Sequence, residues 1–449
     1  MANEHTHSKL IRISGAVILI MVVAGTIWLV VLHKTDRWPG RRQSDPPTFR
    51  QSTLNYQPRH PLIDTSGYPL VISKIERWPK TASLESVAAS FKGVSHELIE
   101  IIDGRLKDSQ LSSKNRVIAS LFRTALLNYN GHPQQAYQAL EELRTYVEAE
   151  QNLALEWLHS IIYFQGVTAL RVGENDNCIM CKAESSCILP IAASAIHTFP
   201  KGSRLAIDRF TEYLRSFPDD LEVKWLLNVA HMTLGEHPQL IDPKHLLKPD
   251  RYLNSEFDIG RFRDIGQLVG VNRLNFQGGG IMDDFDNDGL LDIVTTSNDL
   301  AVSMALYCNK GDGKFAERTK EAGLQTQLGG LFCVQADYDN DGYMDVFVPR
   351  GAWFPSPVTP SLLRNNGNGT FTDVTKLAGL DDPMNSLSAC WADFDNDGFS
   401  DLFVPGNQGR TWLYRNNGNG SFENVTVQAS LNSLGGGWRS AVWIDYDND

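Results

Sequence analysis

The sequence predicts a multidomain chain with an N-terminal transmembrane helix, an all-α region, and then all-β blades of propeller type. Three observations predict it. Residues 13–32 carry no charge. Residues 83–250 show the i, i+3, i+4 apolar spacing of amphipathic helices. From residue 255 onward an acidic loop and its flanks recur with a period of 50-odd residues, which marks a repeat architecture.

Residues 1–12 are a short tail ahead of the apolar run ISGAVILIMVVAGTIWLVVL, Ile13 to Leu32. Twenty helical residues rise about 30 Å, the thickness of a bilayer core. A secretory signal has a shorter apolar core and a small-residue cleavage site. VLHKTDRWPG, which follows, lacks that site, so an uncleaved single-pass signal-anchor is favoured over a signal peptide. Flanking charge and loop chemistry point to opposite orientations. Lys9 and Arg12 precede the run, while Lys34, Arg37, Arg41 and Arg42 follow it, and this count puts the C-terminal side inside. The acidic loops described below suit a calcium-rich compartment and argue for outside.

Residues 33–82 are rich in Pro, Arg, Ser and Gln and read as an extended spacer. Residues 83–250 then read as helices, with NRVIASLFRTALLNYNG and PQQAYQALEELRTYVEAE broken at Gly131 and Pro133. Ala206, Phe210 and Pro218 fall at the small, aromatic and proline phases of a tetratricopeptide helix, and Trp225, Leu227 and Gly235 suit the next. The region resembles tetratricopeptide pairs, which implies a partner-binding groove; a plain helical packing domain fits the pattern equally.

The repeat centres on D-x-D-x-D-G-x-x-D. It occurs at 284–292, 337–345 and 393–401, and its first five positions return at 445–449. The first aspartates stand 53, 56 and 52 residues apart. Carboxylates crowded this tightly repel one another unless a cation sits among them. Calcium takes about six to eight oxygen ligands at about 2.3–2.6 Å in forgiving geometry, whereas magnesium demands a tighter octahedron and keeps more water. The expected Ca2+ ligands are Asp284, Asp286, Asp288, the Leu290 carbonyl and Asp292 in the first loop. They are Asp337, Asp339, Asp341, the Tyr343 carbonyl and Asp345 in the second, and Asp393, Asp395, Asp397, the Phe399 carbonyl and Asp401 in the third. The fourth loop offers Asp445, Asp447 and Asp449. An EF-hand would need a bidentate glutamate at position 12, where this chain has Thr295, Val348 and Val404. Metal-free acidic turns are the bland alternative. A structural ion stapling each repeat is the preferred reading.

Each unit reads as four strands. One enters the acidic loop (LFCVQA, SACWA, SAVWI) and a second leaves it. A third ends at LYCN, LLRN or LYRN, and an Asn-Gly or GDG turn leads to a fourth starting at Phe315, Phe371 or Phe422. Four short strands in 51–56 residues suit a propeller blade. The pairing of ADFDNDG-x-x-DLFV with LYRNNGNGTFTDVTKLAGL resembles the FG-GAP-like (VCBS) repeats of the cartilage acidic protein and ASPIC/UnbV group over residues 255–449, and the loop is similar to those of integrin α-subunits. The resemblance implies a seven-bladed, calcium-binding, extracytoplasmic β-propeller, commonly followed by an ASPIC/UnbV domain that these residues do not contain. Three complete units cannot close a ring, which takes roughly four to eight blades. The natural sequence is therefore expected to continue past Asp449.

The net charge of −12 arises partly from these loops, so it says little about partners, and no basic stripe suggests nucleic acid. Of six cysteines, Cys308, Cys333 and Cys390 lie in the repeats and read as buried thiols. Cys178, Cys181 and Cys187 cluster in CIMCKAESSC. That cluster allows a disulfide, a metal site with His197, a haem-attachment spacing with Lys182 in place of the usual histidine, or inert thiols. QGGG and LGGGW precede strands that enter loops and read as sites of tight packing. No histidine lies beyond His245, which removes imidazole chemistry from the repeats, and neither G-x-S-x-G nor a P-loop occurs. A non-enzymatic, membrane-anchored binding or adhesion platform for a protein or glycan ligand follows. The alternative is an extracytoplasmic enzyme or assembly factor whose catalytic groups lie beyond these residues.

Overall fold

The computed structural model describes residues 59–60, 64–177, 189, 191–248, 257, 262–273, 277–407, 409–433 and 437–446, together with the backbone of 11–13, 16–23 and 26–33. The chain divides into two compact units, Met1–Tyr56 and Gln57–Asp449.

The first unit corrects an expectation. Residues 13–32 do not form a transmembrane helix. They fall largely in an antiparallel sheet of β1 (Ile11–Ile13), β2 (Ala16–Val23) and β3 (Thr26–His33). Val23 pairs with Thr26, and Ile13 pairs with Ala16. The physical reason lies in the composition. Val and Ile are stiff at χ1 and favour strands, and the two glycine-containing dipeptides of the sequence, Ser14-Gly15 and Ala24-Gly25, punctuate the run where a helix would have to continue. Among the described residues no helix is long and apolar enough to cross a membrane.

The second unit opens with helices earlier than the sequence suggests. α1 (Tyr68–Lys74) and the residues before it lie inside the expected spacer. Arg59 pairs with Glu222 at 2.8 Å and stacks over the Tyr163 ring, while His60 stacks on Trp157. These contacts fix the end of that segment to the helices. α2 (Leu84–Phe91), α3 (Val94–Leu106), α4 (Ser113–Tyr129), α5 (Pro133–Glu148), α6 (Gln151–Asn177), α7 (Lys201–Ser216) and α8 (Leu221–Met232) follow. Ser83, Ser112 and Asp220 cap α2, α4 and α8 by accepting from backbone N–H groups. The break before α5 is made by Gly131 at φ 76° and by Pro133 at the first helical turn. Ala206 and Phe210 are fully buried in the α6–α8 core, and Phe210 packs over Gly166, where a Cβ would strike its ring. Trp225 stays 38% exposed.

After α9 (Gly266–Val269) come three four-stranded antiparallel meanders. The first is β4 (Gly280–Asp283), β5 (Asp292–Thr295), β6 (Ala305–Asn309) and β7 (Phe315–Glu317). The second is β8 (Val334–Ala336), β9 (Asp345–Val348), β10 (Ser361–Asn365) and β11 (Phe371–Asp373). The third is β12 (Cys390–Ala392), β13 (Asp401–Pro405), β14 (Thr411–Asn416) and β15 (Phe422–Asn424). The four-strand reading of each unit therefore holds. Residues 440–444, read as the entering strand of a fourth unit, form no strand. Among the described residues there are three blades and no closed ring.

Neighbouring blades are joined by backbone and by core. Phe371 N donates to Ala322 O at 3.0 Å, and Phe422 N to Ala378 O at 2.8 Å. One apolar cluster runs from Phe285 and Val294 to Val346 and Leu363, and another from Tyr338 and Phe347 to Leu402 and Tyr414. Gly279, from the QGGG cluster, permits tight packing: a Cβ there would sit 2.8 Å from Phe332 Cα. The helices meet the blades through Trp78, Phe91 and Phe354, and Trp78 Nε1 donates to Pro357 O at 2.8 Å. Cys333 is fully buried, and Cys308 and Cys390 are half-buried; all three are free thiols.

Candidate metal centres

In every blade the acidic loop joins the first and second strands. Its reversal rests on two left-handed residues. Asn287, Asn340 and Asn396 at position 4 have φ of 58°, 57° and 58°, and the glycines at position 6 have φ of 88°, 89° and 91°. Asn tolerates that region and Gly enters it without steric cost, so N-D-G is chemistry the turn requires.

The aspartates then organise the loop. Both oxygens of the position-1 residue accept from the N–H groups of positions 5 and 6, at 3.0 and 2.8 Å for Asp284, 3.0 and 2.9 Å for Asp337, and 3.1 and 2.9 Å for Asp393. The last aspartates, Asp292, Asp345 and Asp401, open the second strand and are at most 1% exposed. In each, Oδ2 accepts from the position-2 N–H, and Oδ1 accepts at 2.7 Å from Asn309, Asn365 or Asn416 at the end of the third strand. The carboxylate is thus locked in orientation by its own loop and by the third strand at once.

These constraints bring ligand atoms together. Carboxylate oxygens of Asp284, Asp286 and Asp288 lie within 4.8 Å of one another, as do those of Asp337, Asp339 and Asp345, and of Asp393, Asp395 and Asp401. Asp286 and Asp292 also converge with the Cys308 thiol. Asp341 and Asp397 stand outside the groups of their loops; one oxygen of each accepts at 2.9 Å from the N–H of Tyr343 or Phe399. Leu290 N is held likewise by Asp288 at 2.8 Å. In the fourth loop Asp445 is exposed, and Asp447 and Asp449 lie outside the described residues.

The electrostatics call for a cation. Burial pushes the Asp345 carboxyl up to about 8, with Asp339 and Asp341 adding to the rise while N–H donors oppose it. Burial pushes Asp292 up to about 6, again with acidic neighbours. Asp401, Asp286 and Asp339 are also raised, by burial first and by neighbouring carboxylates second. Asp339 Oδ1 is buried and has no hydrogen-bond partner among the described residues. An orphaned oxygen inside a group of converging carboxylates is what a hard cation would coordinate.

Several participants were not legible as such. Cys308 stands where the next two units carry Arg364 and Arg415. Burial first, then Asp292 and Asp286, pushes its thiol up to about 11, and a neutral thiol is a poor ligand for a hard ion, so the oxygens remain the binding set. The asparagines that link the loops were also missed. Asn287 Nδ2 donates to Gly342 O at 2.9 Å, and Asn340 Nδ2 to Gly398 O at 3.0 Å. Asn365 Nδ2 reaches back to Phe285 O at 2.7 Å, and Asn416 Nδ2 to Tyr338 O at 2.8 Å. The signal was present in the sequence, since the same asparagine closes LYCN, LLRN and LYRN. The cysteines of CIMCKAESSC lie outside the described residues; His197, suggested as their partner, lies 3.0 Å from Ser203 Oγ through Nδ1.

A run of antiparallel blades, each with an aspartate loop between its first two strands, defines a repeat of propeller type. Residues 284–348, 352–404 and 393–449 match the sequence profile of the FG-GAP-like repeat. The C-terminal part of the chain therefore carries FG-GAP-like repeats. No curated protein matches the chain.

Proposed function

We propose that the chain is a calcium-stapled binding platform whose FG-GAP-like blades offer a rigid surface to a protein or glycan partner. The observation that carries this reading is the registration of three loops that each gather carboxylate oxygens within 4.8 Å, the first bonded to the second and the second to the third through asparagine side chains. One Ca2+ per loop would offset the repulsion among Asp284, Asp286, Asp288 and Asp292 and among their counterparts. The ion would then hold the two inner strands of each blade together, and rigidity would pass from loop to loop. The ions have a structural role in this reading, and recognition belongs to the surfaces they hold in place. Elemental analysis of the full chain purified in millimolar calcium should find three calcium ions per chain, and Asp339→Ala should remove one of them. A chain without bound calcium would overturn the reading.

We further propose that the blades lie outside the cytoplasm and that the apolar residues 13–32 hold the chain at the membrane in a form other than a membrane-spanning helix. The support is the charge-free character of that run and the match of such loops to high-calcium compartments. Full-length protein should sediment with membranes, and a chain lacking residues 1–34 should not. Protease added to intact cells should cut the blades; full protection would place them inside, as the flanking positive charges suggest.

A further inference from the structure

We propose that the seam between the helices and the first two blades holds a binding site for an acidic saccharide unit, a site separate from the calcium loops. A cavity of about 330 Å³ opens there, within the range of small-ligand pockets, which favour domain boundaries. Its walls come from α1, α4 and α6 on one side and from residues flanking the first two blades on the other. Tyr68, Asn128, Arg171, Gln277, Asn298 and Trp353 supply the chemistry.

Among the described residues, two of these groups lack partners in a place where polar groups rarely do. Asn128 is 4% exposed; its Nδ2 donates to Thr168 Oγ1 at 3.0 Å, while its Oδ1 has no hydrogen-bond partner among the described residues. The Tyr68 hydroxyl is buried and equally unpartnered. A buried acceptor left without a donor is destabilising, and a ligand hydroxyl would relieve that cost. Asn298 is 6% exposed and adds a second amide, and Gln277 a third. Amides and phenols donate and accept in alternation, as the hydroxyls of a sugar ring do. Trp353, 42% exposed, offers a flat apolar face against which the C–H face of a sugar can lie. Arg171 is the one charged residue lining the cavity, and among the described residues it makes no ion pair within 4 Å. Glu174, one turn further along α6, is its acidic neighbour. A guanidinium in that position selects a carboxylate and can bind it bidentately.

The test is calorimetric titration of the full chain, in detergent and millimolar calcium, with glucuronate as the probe and glucose and acetate as controls. Glucuronate should bind about tenfold or more tightly than glucose, and acetate should not substitute for it. Arg171→Gln should remove the preference for glucuronate over glucose. Trp353→Ala should weaken both sugars. Both side chains are solvent-exposed, so the fold should survive, as circular dichroism will check. No binding of glucuronate, or binding unchanged in both variants, overturns the proposal. A chain with three calcium ions and no glucuronate binding loses this site alone; a chain that binds glucuronate but no calcium loses only the stapled-platform reading.

Discussion

Replacing Arg350 with alanine is expected to destabilise the blades by about 3–5 kcal/mol, the range for removing one member of a buried charged network. Arg350 follows β9 and is 2% exposed. Its Nε donates to Leu328 O at 2.9 Å, one terminal nitrogen to Ser361 Oγ at 2.6 Å, and the other to Gln327 Oε1 at 3.0 Å. Gln327 in turn donates to Asp373 Oδ2 at 2.9 Å, which relays the cation to a carboxylate that it does not touch. Burial depresses the guanidinium to about 10, and the field of Asp373 opposes that shift. The network ties the segment after the first blade to three strands of the second. Alanine would take a donor from the Leu328 carbonyl, from Ser361 Oγ and from Gln327 Oε1 around a cavity. Lysine would keep the charge but lose the fork, and should recover only part of the loss. Urea unfolding with an unchanged slope and a lowered midpoint is the expected readout. A loss under about 1 kcal/mol, the range of an exposed ion pair, would show that the network contributes nothing to stability.

Arg350 also shows what the sequence concealed. Its counterparts in the flanking units are Ser297 and Gly406, so it has no repeat phase, and an isolated arginine reads as a surface residue. The blades were legible because their residues recur: Asp at fixed loop positions, Gly where φ must be positive, and apolar residues in strands buried on both faces. The closing asparagines recur as well, yet Asn beside a turn reads as turn chemistry, and only the folded chain shows it reaching a neighbouring blade. The N-terminal run was legible as apolar. Its strand form was not, because hydrophobicity over twenty residues suggests a helix while β-branching favours a strand. The seam cavity could not be read at all, since Asn128 and Trp353 are 225 residues apart and are brought together only by the packing of helices on blades.

Removing calcium should produce the largest change of all, because it acts on three loops at once. A site filled at a hundredfold excess over its dissociation constant stabilises the folded state by about 2.7 kcal/mol. For the compact unit Gln57–Asp449, with an unfolding entropy of about 2 cal/mol/K per residue, each kcal/mol moves the melting point by about 1 °C, so chelation should lower the melt by about 3 °C for each occupied loop and by about 10 °C for all three. The direction of the pH dependence follows from the carboxylates. Asp345 at about 8 and Asp292 at about 6 bind protons more tightly in the ion-free fold than in the unfolded chain. A group raised in this way favours the fold below its unfolded value, and that stability is lost as pH rises through the folded one. Chelated protein should therefore melt lower at pH 8 than at pH 5. With calcium bound, the cation offsets the negative charge that appears as these groups ionise, so the melt should hold or rise over the same interval. The gap between the two curves should widen toward pH 8. Coincident melts at both pH values would show that the aspartates are acidic turns and that the blades are held by their apolar clusters and asparagine links alone.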